Sequence, residues 1–255
     1  MKKGDSSKND YVAMEVRKSN ALIQKSRFDL SLQQQKILLF LISQISPSDT
    51  EFQTYSFSIK DFCSVCGINT TSGRNYQMIK NQIKQIADKS IWLDMPDREV
   101  LVRLIEKPEI IKESGVIRIR FDKDMMPFLL QLRSNYTKYE LIYILRFNSK
   151  YSLRLYEYIK SVHYDEMNSY TQYVSLDGLK RIIGAEKYEL FKEFNRSVLK
   201  PAVNEINRYS DKNVKIDTVK NNNIVVGLNI SITTKSIMER AELGAETEMF
   251  LNKSD

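Results

Sequence analysis

Tyr188 to Arg208 reads YELFKEFNRSVLKPAVNEINR, and the interpretation of this stretch decides the architecture of the chain. Phe191, Phe194, Val198, Ala202 and Ile206 return every three or four residues, the interval at which side chains share one face of an α-helix. Lys192, Asn195, Arg196 and Lys200 then project together from the other face. Such a mixture of cations and amide suits the major groove of duplex DNA. Arginine and lysine reach guanine N7 and O6 or hold phosphates, and asparagine reads adenine N6 and N7. A solvated helix surface has the same composition, so the pattern alone leaves both readings open. Pro201 has no amide donor and clashes with the preceding turn, which predicts a local kink with the DNA-facing part mostly N-terminal to it.

Working outward, Tyr173–Leu176 is a short extended segment, Asp177 starts a small helix and Gly184 ends it. Val214–Val219 and Ile224–Ile232 follow as a β-hairpin across the polar turn Lys220–Asn223. The order is helix, helix, hairpin, and the first half has the same plan. Leu32–Ile45 is a helix with Ser31 as N-cap, closed by Pro47, and Phe52–Ile59 is extended. Ile59–Val65 forms a short helix that Gly67 ends, and Ser72 caps a second one over Arg74–Asp88 with Tyr76, Ile79, Ile83 and Ile86 inward. Ile91–Met95, Val100–Glu106 and Val116–Phe121 are strands, separated by Pro96 and by a loop over Lys107–Gly115. In the last of these, Ile117, Ile119 and Phe121 occupy one face while Val116, Arg118 and Arg120 occupy the other. The two arginines either meet a phosphate backbone or solvate an exposed sheet. The fold class is α+β, with one architectural plan used twice and no convincing repeat of sequence.

Between the halves, Lys138–His163 reads as a basic, aromatic helical region interrupted near Phe147–Lys150. Tyr139, Tyr143, Tyr151, Tyr156, Tyr158 and Tyr164 are read as packing residues rather than a stacking platform for single strands. Met1–Asp10 is a polar, disordered lead-in, and Thr233–Asp255 holds a possible amphipathic helix before a polar tail.

Composition narrows the function classes. Over 255 residues, Lys and Arg outnumber Asp and Glu by 39 to 32, a formal charge of +7 that draws polyanions without selecting one. The two cysteines, Cys63 and Cys66, and the single histidine, His163, make no recognisable zinc or nucleophile arrangement. Reduced thiols of this kind, with no secretory leader and no apolar run of spanning length, suit a cytoplasmic protein. The chain has no Gly-rich phosphate-binding loop, and no cofactor is called for.

Four ordered motifs resemble the plasmid replication initiator superfamily known as Rep_3. Arg17, Lys18, Ser19, Asn20, Ala21, Leu22 and Ile23 match its opening signature, and Leu30, Ser31, Leu32, Gln33, Gln34, Gln35 and Lys36 its first core helix. Tyr136, Thr137, Lys138 and Tyr139, leading into Tyr151, Ser152, Leu153, Arg154, Leu155, Tyr156 and Glu157, resemble the start of its second domain. Val198 to Asn207 matches the end of its second recognition helix. The resemblance covers roughly 16–232 and implies two tandem winged-helix domains, each with a helix-turn-helix and a β-hairpin wing. The expected division is a disordered segment over 1–10, a first domain over 11–134 for DNA binding and dimerisation, a second over 135–235 for iteron recognition, and a C-terminal helix or tail over 236–255.

The resemblance further implies a non-enzymatic initiator. It would bind double-stranded origin iterons as a monomer and promote origin opening with the host initiator and helicase machinery. As a homodimer it would bind an operator inverted repeat and repress its own gene. Lys192, Asn195, Arg196, Ser197 and Lys200 are placed on or beside the second recognition helix, with Arg196 the foremost base reader. Family arginines are denser along that helix, whereas this chain offers Asn195 and Ser197 beside Arg196, so neither the iteron sequence nor the division between base and phosphate contacts carries over from the family. In the first domain the expected contacts are Arg74, Asn75, Gln77, Lys80, Lys84 and the wing residues Arg118 and Arg120. Glu205 and Asn207 are read as helix-end hydrogen-bonding residues. A winged-helix transcriptional regulator without initiator activity is the alternative. A tyrosine nickase is a second one, against which the single histidine and absent metal cluster argue.

Overall fold

The computed structural model describes residues 14–27, 29–65, 73–94, 97–163 and 169–252. The chain opens with β1 (Glu15–Ser19), α1 (Asn20–Lys25), β2 (Ser26–Arg27) and α2 (Leu32–Ile42). At α2 the Ser31 hydroxyl accepts from Gln34 N–H at 3.2 Å, and Gln34 Oε1 accepts from Ser31 N–H at 3.0 Å. This capping box occupies two backbone donors that a helix start would otherwise leave open, which is why the helix begins where Ser31 stands. Then come β3 (Tyr55–Ser58), α3 (Ile59–Val65) and α4 (Gly73–Ala87). Ile79, Ile83 and Ile86 are buried and Tyr76 half-buried, as the helical spacing predicts. The expected turn at Gly67, the cap at Ser72 and the second cysteine, Cys66, lie outside the described residues, as do Met1–Asp10 and Tyr164.

Four strands follow: β4 (Ser90–Asp94), β5 (Glu99–Arg103), β6 (Ile105–Ile111) and β7 (Val116–Phe121). They make two antiparallel sheets, ordered β2-β4-β5 and β3-β7-β6. Strand β6 replaces the first part of the loop expected over Lys107–Gly115. The pairing slips between Glu106 and Glu109, and Lys107 takes a φ of 37°. That bulge accommodates Pro108, which cannot donate to a ladder, on an edge strand, and it also hides the strand's period in the sequence.

A 3-10 turn (Lys123–Met125) and α5 (Met126–Leu129) lead to β8 (Tyr136–Glu140), α6 (Ile142–Leu145) and α7 (Lys150–Val162). The helix expected from Lys138 is therefore a strand as far as Glu140. β8 pairs with β1 from Ser19–Tyr136 to Glu15–Glu140, and a partner so distant in sequence leaves no local trace. The interruption near Phe147–Lys150 is present, with the Ser149 hydroxyl accepting from Tyr151 N–H at 3.2 Å to begin α7. Tyr139, Tyr143, Tyr151, Tyr156 and Tyr158 are all buried, and Tyr139 meets Tyr156 edge to face at 5.3 Å, so these rings are packing residues. His163 is buried at the end of α7.

The second half holds β9 (Ser169–Ser175), α8 (Leu176–Ile183), α9 (Phe191–Phe194), a π turn (Asn195–Leu199), α10 (Lys200–Tyr209), β10 (Lys212–Asn221), β11 (Ile224–Thr234) and α11 (Ile237–Asn252). Ser175 caps α8, and Gly184, at a φ of +72° that strains any other L-residue, ends it. The sheet order is β10-β11-β9. In α11 the apolar Ile237, Met238, Met249 and Phe250 are exposed while Thr247 and Leu251 are buried, so its apolar side chains do not share one inward face.

Two winged-helix units result, α2, α3 and α4 with the β6–β7 hairpin, and α8 and α9–α10 with the β10–β11 hairpin, and α7 packs against helices of both. Buried apolar side chains from both halves form one continuous cluster. Polar groups also cross between the motifs of the two halves. Lys18 Nζ donates to Glu157 Oε1 at 2.7 Å, and Tyr139 OH donates to the same oxygen at 2.8 Å. Arg154 Nη2 donates to Ile23 O at 3.1 Å and to Ile182 O at 2.6 Å, tying α1 and the end of α8 to α7.

Candidate nucleic-acid interface

The segment from Phe191 to Tyr209 is one continuous helical run, and its faces are cleanly divided. Phe194, Val198, Leu199, Ala202 and Ile206 are at most 3% exposed. Each large apolar side chain among them contributes about 1.5–3 kcal/mol by leaving water, so the helix cannot rotate about its axis without a large loss. That anchorage leaves Lys192, Arg196, Ser197 and Lys200 exposed and Asn195 half-buried, together on the solvent side. Glu193 is exposed in the same turn and is an acceptor suited to cytosine N4–H.

The irregularity forecast at Pro201 takes another form. Lys200 N–H donates to Asn195 O, five residues back, and the widened turn spans Asn195–Leu199. Pro201 has no N–H to give to Ser197, so the chain adds a residue to the turn just before it. Val198 and Leu199, adjacent in sequence, are consequently both buried. The departure therefore lies within the polar array rather than beyond it. Functional sites often carry such π bulges, because they re-aim side chains without breaking the helix.

At the C-terminal end, Glu205 Oε1 accepts from Asn148 N–H at 3.0 Å. The Asn207 amide accepts from Val214 N–H at 2.6 Å and donates to Val214 O at 3.0 Å. Both residues lock the helix to its neighbours, the role read from the sequence. Lys235 Nζ donates to Asn207 O and Ser210 O, and burial pushes that ammonium below its usual range.

In the first unit Gln77, Lys80 and Lys84 are exposed along α4. Lys84 is paired with Asp88 one turn on, an exposed pair of small energetic weight. Arg74 and Asn75 stand in the first turn of α4, and their side chains lie outside what is described. The other flank of the helix is used structurally: Gln82 Oε1 accepts from the Ser31 hydroxyl at 3.0 Å and Gln85 Oε1 from Gln34 Nε2 at 2.7 Å. Arg118 and Arg120 are exposed on the β6–β7 wing as the alternation predicts. Both face acids: Arg120 donates to Glu106 at 2.7 Å and Arg118 is the register partner of Glu109. The wing face is thus mixed in charge.

Sequence reasoning missed a cleft of 430 Å³ between the units, where Lys150, Arg181 and Lys187 gather with Asp29 and Glu186. Lys150 donates to Asp29 at 2.6 Å and, with Lys89 and Lys187 nearby, holds that carboxyl below its usual range. Arg181 and Lys187 flank Gly184, so a basic helix end beside a left-handed glycine was the available signal.

This geometry has relatives. A family model described as "Initiator Replication protein, WH1" matches residues 15–160, and one described as "Initiator Rep protein, WH2" matches 175–232. A replication initiation protein of Escherichia coli is 24% identical over 205 residues, which cover 75% of this chain and 62% of that protein. The chain thus spans less than two thirds of that relative's length. The fold is similar to that of the Pi initiator protein in a crystal structure with iteron DNA, at a TM-score of 0.74 and 20% identity over 88% of this chain and 99% of that one. With the WH1 match running through more than half of its residues and the WH2 match in tandem behind it, the chain belongs to the Rep_3 family of plasmid replication initiator proteins.

Proposed function

We propose that this chain initiates plasmid replication by binding double-stranded origin iterons, without enzymatic chemistry, through both winged-helix units. The observation that carries the reading is the single exposed array of Lys192, Arg196, Ser197 and Lys200, held outward by a fully buried opposite face. Phosphate contacts place the protein on the duplex, and Arg196, with two parallel donors, distinguishes guanine from the other bases. In the first unit Gln77, Lys80 and Lys84, with Arg74 and Asn75, take the neighbouring groove, and Arg118 and Arg120 touch its backbone. Bound monomers deform the origin so that an adjacent AT-rich segment opens, and the host initiator and helicase machinery enters there.

As a homodimer joined through the first unit, the protein occupies an operator inverted repeat and represses its own gene. The exposed cross-strand pair Trp92 and Leu101 on β4–β5 supplies apolar area for that contact. Footprinting on the parental origin tests the assignment: Arg196→Ala should weaken binding by about 1–3 kcal/mol and relax preference at one base pair. Unchanged affinity and preference would remove Arg196 from the reading surface. An origin plasmid that replicates only when the protein is supplied separates an initiator from a regulator that merely represses.

A further inference from the structure

The cleft between the two units has the size of a small-molecule site. Its 430 Å³ falls within the about 300–1,000 Å³ usual for such sites, which favour domain junctions. Ser26, Asp29, Leu30 and Gln35 line it from the first half of the chain, and Arg181, Ile182, Glu186 and Lys187 from the second. Its charge is unbalanced. Lys150, Arg154, Arg181 and Lys187 stand against Asp29 and Glu186, an excess of two positive charges. Lys150 is held by Asp29 at 2.6 Å, and Arg154 donates to Ile23 O and Ile182 O. Arg181 and Lys187 are exposed and form no ion pair among the described residues, and Lys187 Nζ stands 5.2 Å from the centre of the Tyr188 ring. Neither belongs to the polar array on α9–α10 or to the face of α4.

Deeper in, the cleft calls for the opposite chemistry. Gln35 is 5% exposed, and its Nε2 donates to Leu30 O at 3.1 Å. That bond fixes which end of the amide is the acceptor, and the acceptor, Oε1, is buried with no hydrogen-bond partner. Native folds seldom leave such an atom unpaired, and each one that remains calls for an explanation. A donor on a bound molecule supplies it. The Tyr151 ring, edge to face with Tyr188 at 6.1 Å, completes the walls with Leu30 and Ile182, and these suit a flat, weakly polar body.

We propose that the cleft binds a free mononucleotide whose base carries an amino group, with the phosphate on Arg181 and Lys187 and the amino group donating to Gln35 Oε1. A phosphate monoester carries about −1.5 to −2 charge at pH 7, which matches the excess in the cleft, and guanidinium and ammonium donors hold its oxygens by charge-assisted bonds. In duplex DNA the amino group sits on a paired base edge in a groove, so a duplex brings phosphates to the mouth but no donor to Gln35. The nucleotide touches both units, so its binding stabilises the fold they share.

The test uses the full chain without DNA and follows binding by titration calorimetry and by melting temperature. Adenosine 5′-monophosphate should bind with a Kd below about 1 mM and raise the melting temperature. Purine riboside 5′-monophosphate, which lacks only the amino group, should bind about tenfold more weakly, and so should adenosine monophosphate to the double variant R181A/K187A, whose altered side chains are both exposed. Gln35→Leu should bind the two nucleotides equally; if it fails to fold, the nucleotide pair on wild type reads the same contact. Inorganic phosphate binding as tightly as the nucleotide means an adventitious ion only and overturns the proposal, as does equal binding by wild type and R181A/K187A. So does a double variant that loses duplex affinity while wild type binds no nucleotide, since the cleft then serves the duplex. The initiator reading is untouched by these outcomes, because it stands or falls on footprinting at the origin.

Discussion

Glu157→Gln removes the one negative charge at the junction of Lys18, Tyr139 and Arg154. Lys18 Nζ lies 2.7 Å from Glu157 Oε1, with side-chain exposures of 5% and 1%, and Arg154 Nη1 lies 3.9 Å from Oε2. At an effective dielectric of ~20 the direct attraction at that separation is about 6 kcal/mol, most of it returned as the desolvation of both ions. Removing one partner leaves the other charged and buried, which costs about 3–5 kcal/mol. Taking ~3 kcal/mol and roughly 2–4 °C per kcal/mol for a chain of this size, the melting temperature should fall by about 6–12 °C.

The sign of the pH dependence follows from Lys18. Burial pushes its ammonium below the usual 10.5, although Glu157 opposes this. Between the folded and unfolded pKa values the native state holds fewer protons than the unfolded one, so this group's contribution to stability rises with pH across that window. The deficit of Glu157→Gln should therefore shrink between pH 7 and pH 10 in urea unfolding followed by circular dichroism. The double variant Lys18→Met, Glu157→Leu should recover the part of the loss that comes from Lys18, since Arg154 alone then stays charged there and keeps its bonds to Ile23 O and Ile182 O. A loss under about 1 kcal/mol at pH 7, or a double variant no more stable than the single one, would refute the reasoning.

Asn207→Ala deletes both bonds to Val214 and should cost about 1–3 kcal/mol, read as an earlier urea midpoint, because two buried backbone groups lose their partner. Gly184→Ala meets open space but a φ of +72°, so about 1 kcal/mol of backbone strain should appear in the same assay. Lys192→Ala should weaken duplex binding nearly uniformly across sequences and reduce the salt slope by about 1, which separates it from Arg196→Ala in titrations at several salt concentrations.

Legibility in the sequence tracked how local each interaction is. The Ser31 cap and the Gly184 stop each depend on residues within a few positions, and both stand where the residues indicate, while the turn expected over Lys220–Asn223 narrows to Asn222 and Asn223 because Lys220 and Asn221 continue β10. The buried stripe from Phe194 to Ile206 was equally plain, since a helix repeats its contacts every turn. What failed depended on distant partners or a broken period. Strand β6 was masked by Pro108 and its bulge, and β8 by a partner at the start of the chain. The π turn was missed because Pro201 announces a disturbance but not how it is absorbed.

From its residues alone, then, this protein has two helix–helix–hairpin units, a positive balance of charge and an amphipathic helix with cations on one side. All of these are periodic or compositional properties that need no partner. Only the tertiary structure decided that motifs from opposite halves meet at a buried ion pair, that the arginines of the first wing face acids, and that the second wing extends past the end of β9. Those facts arise where segments remote in sequence exclude water between them, and neither spacing nor propensity carries that information.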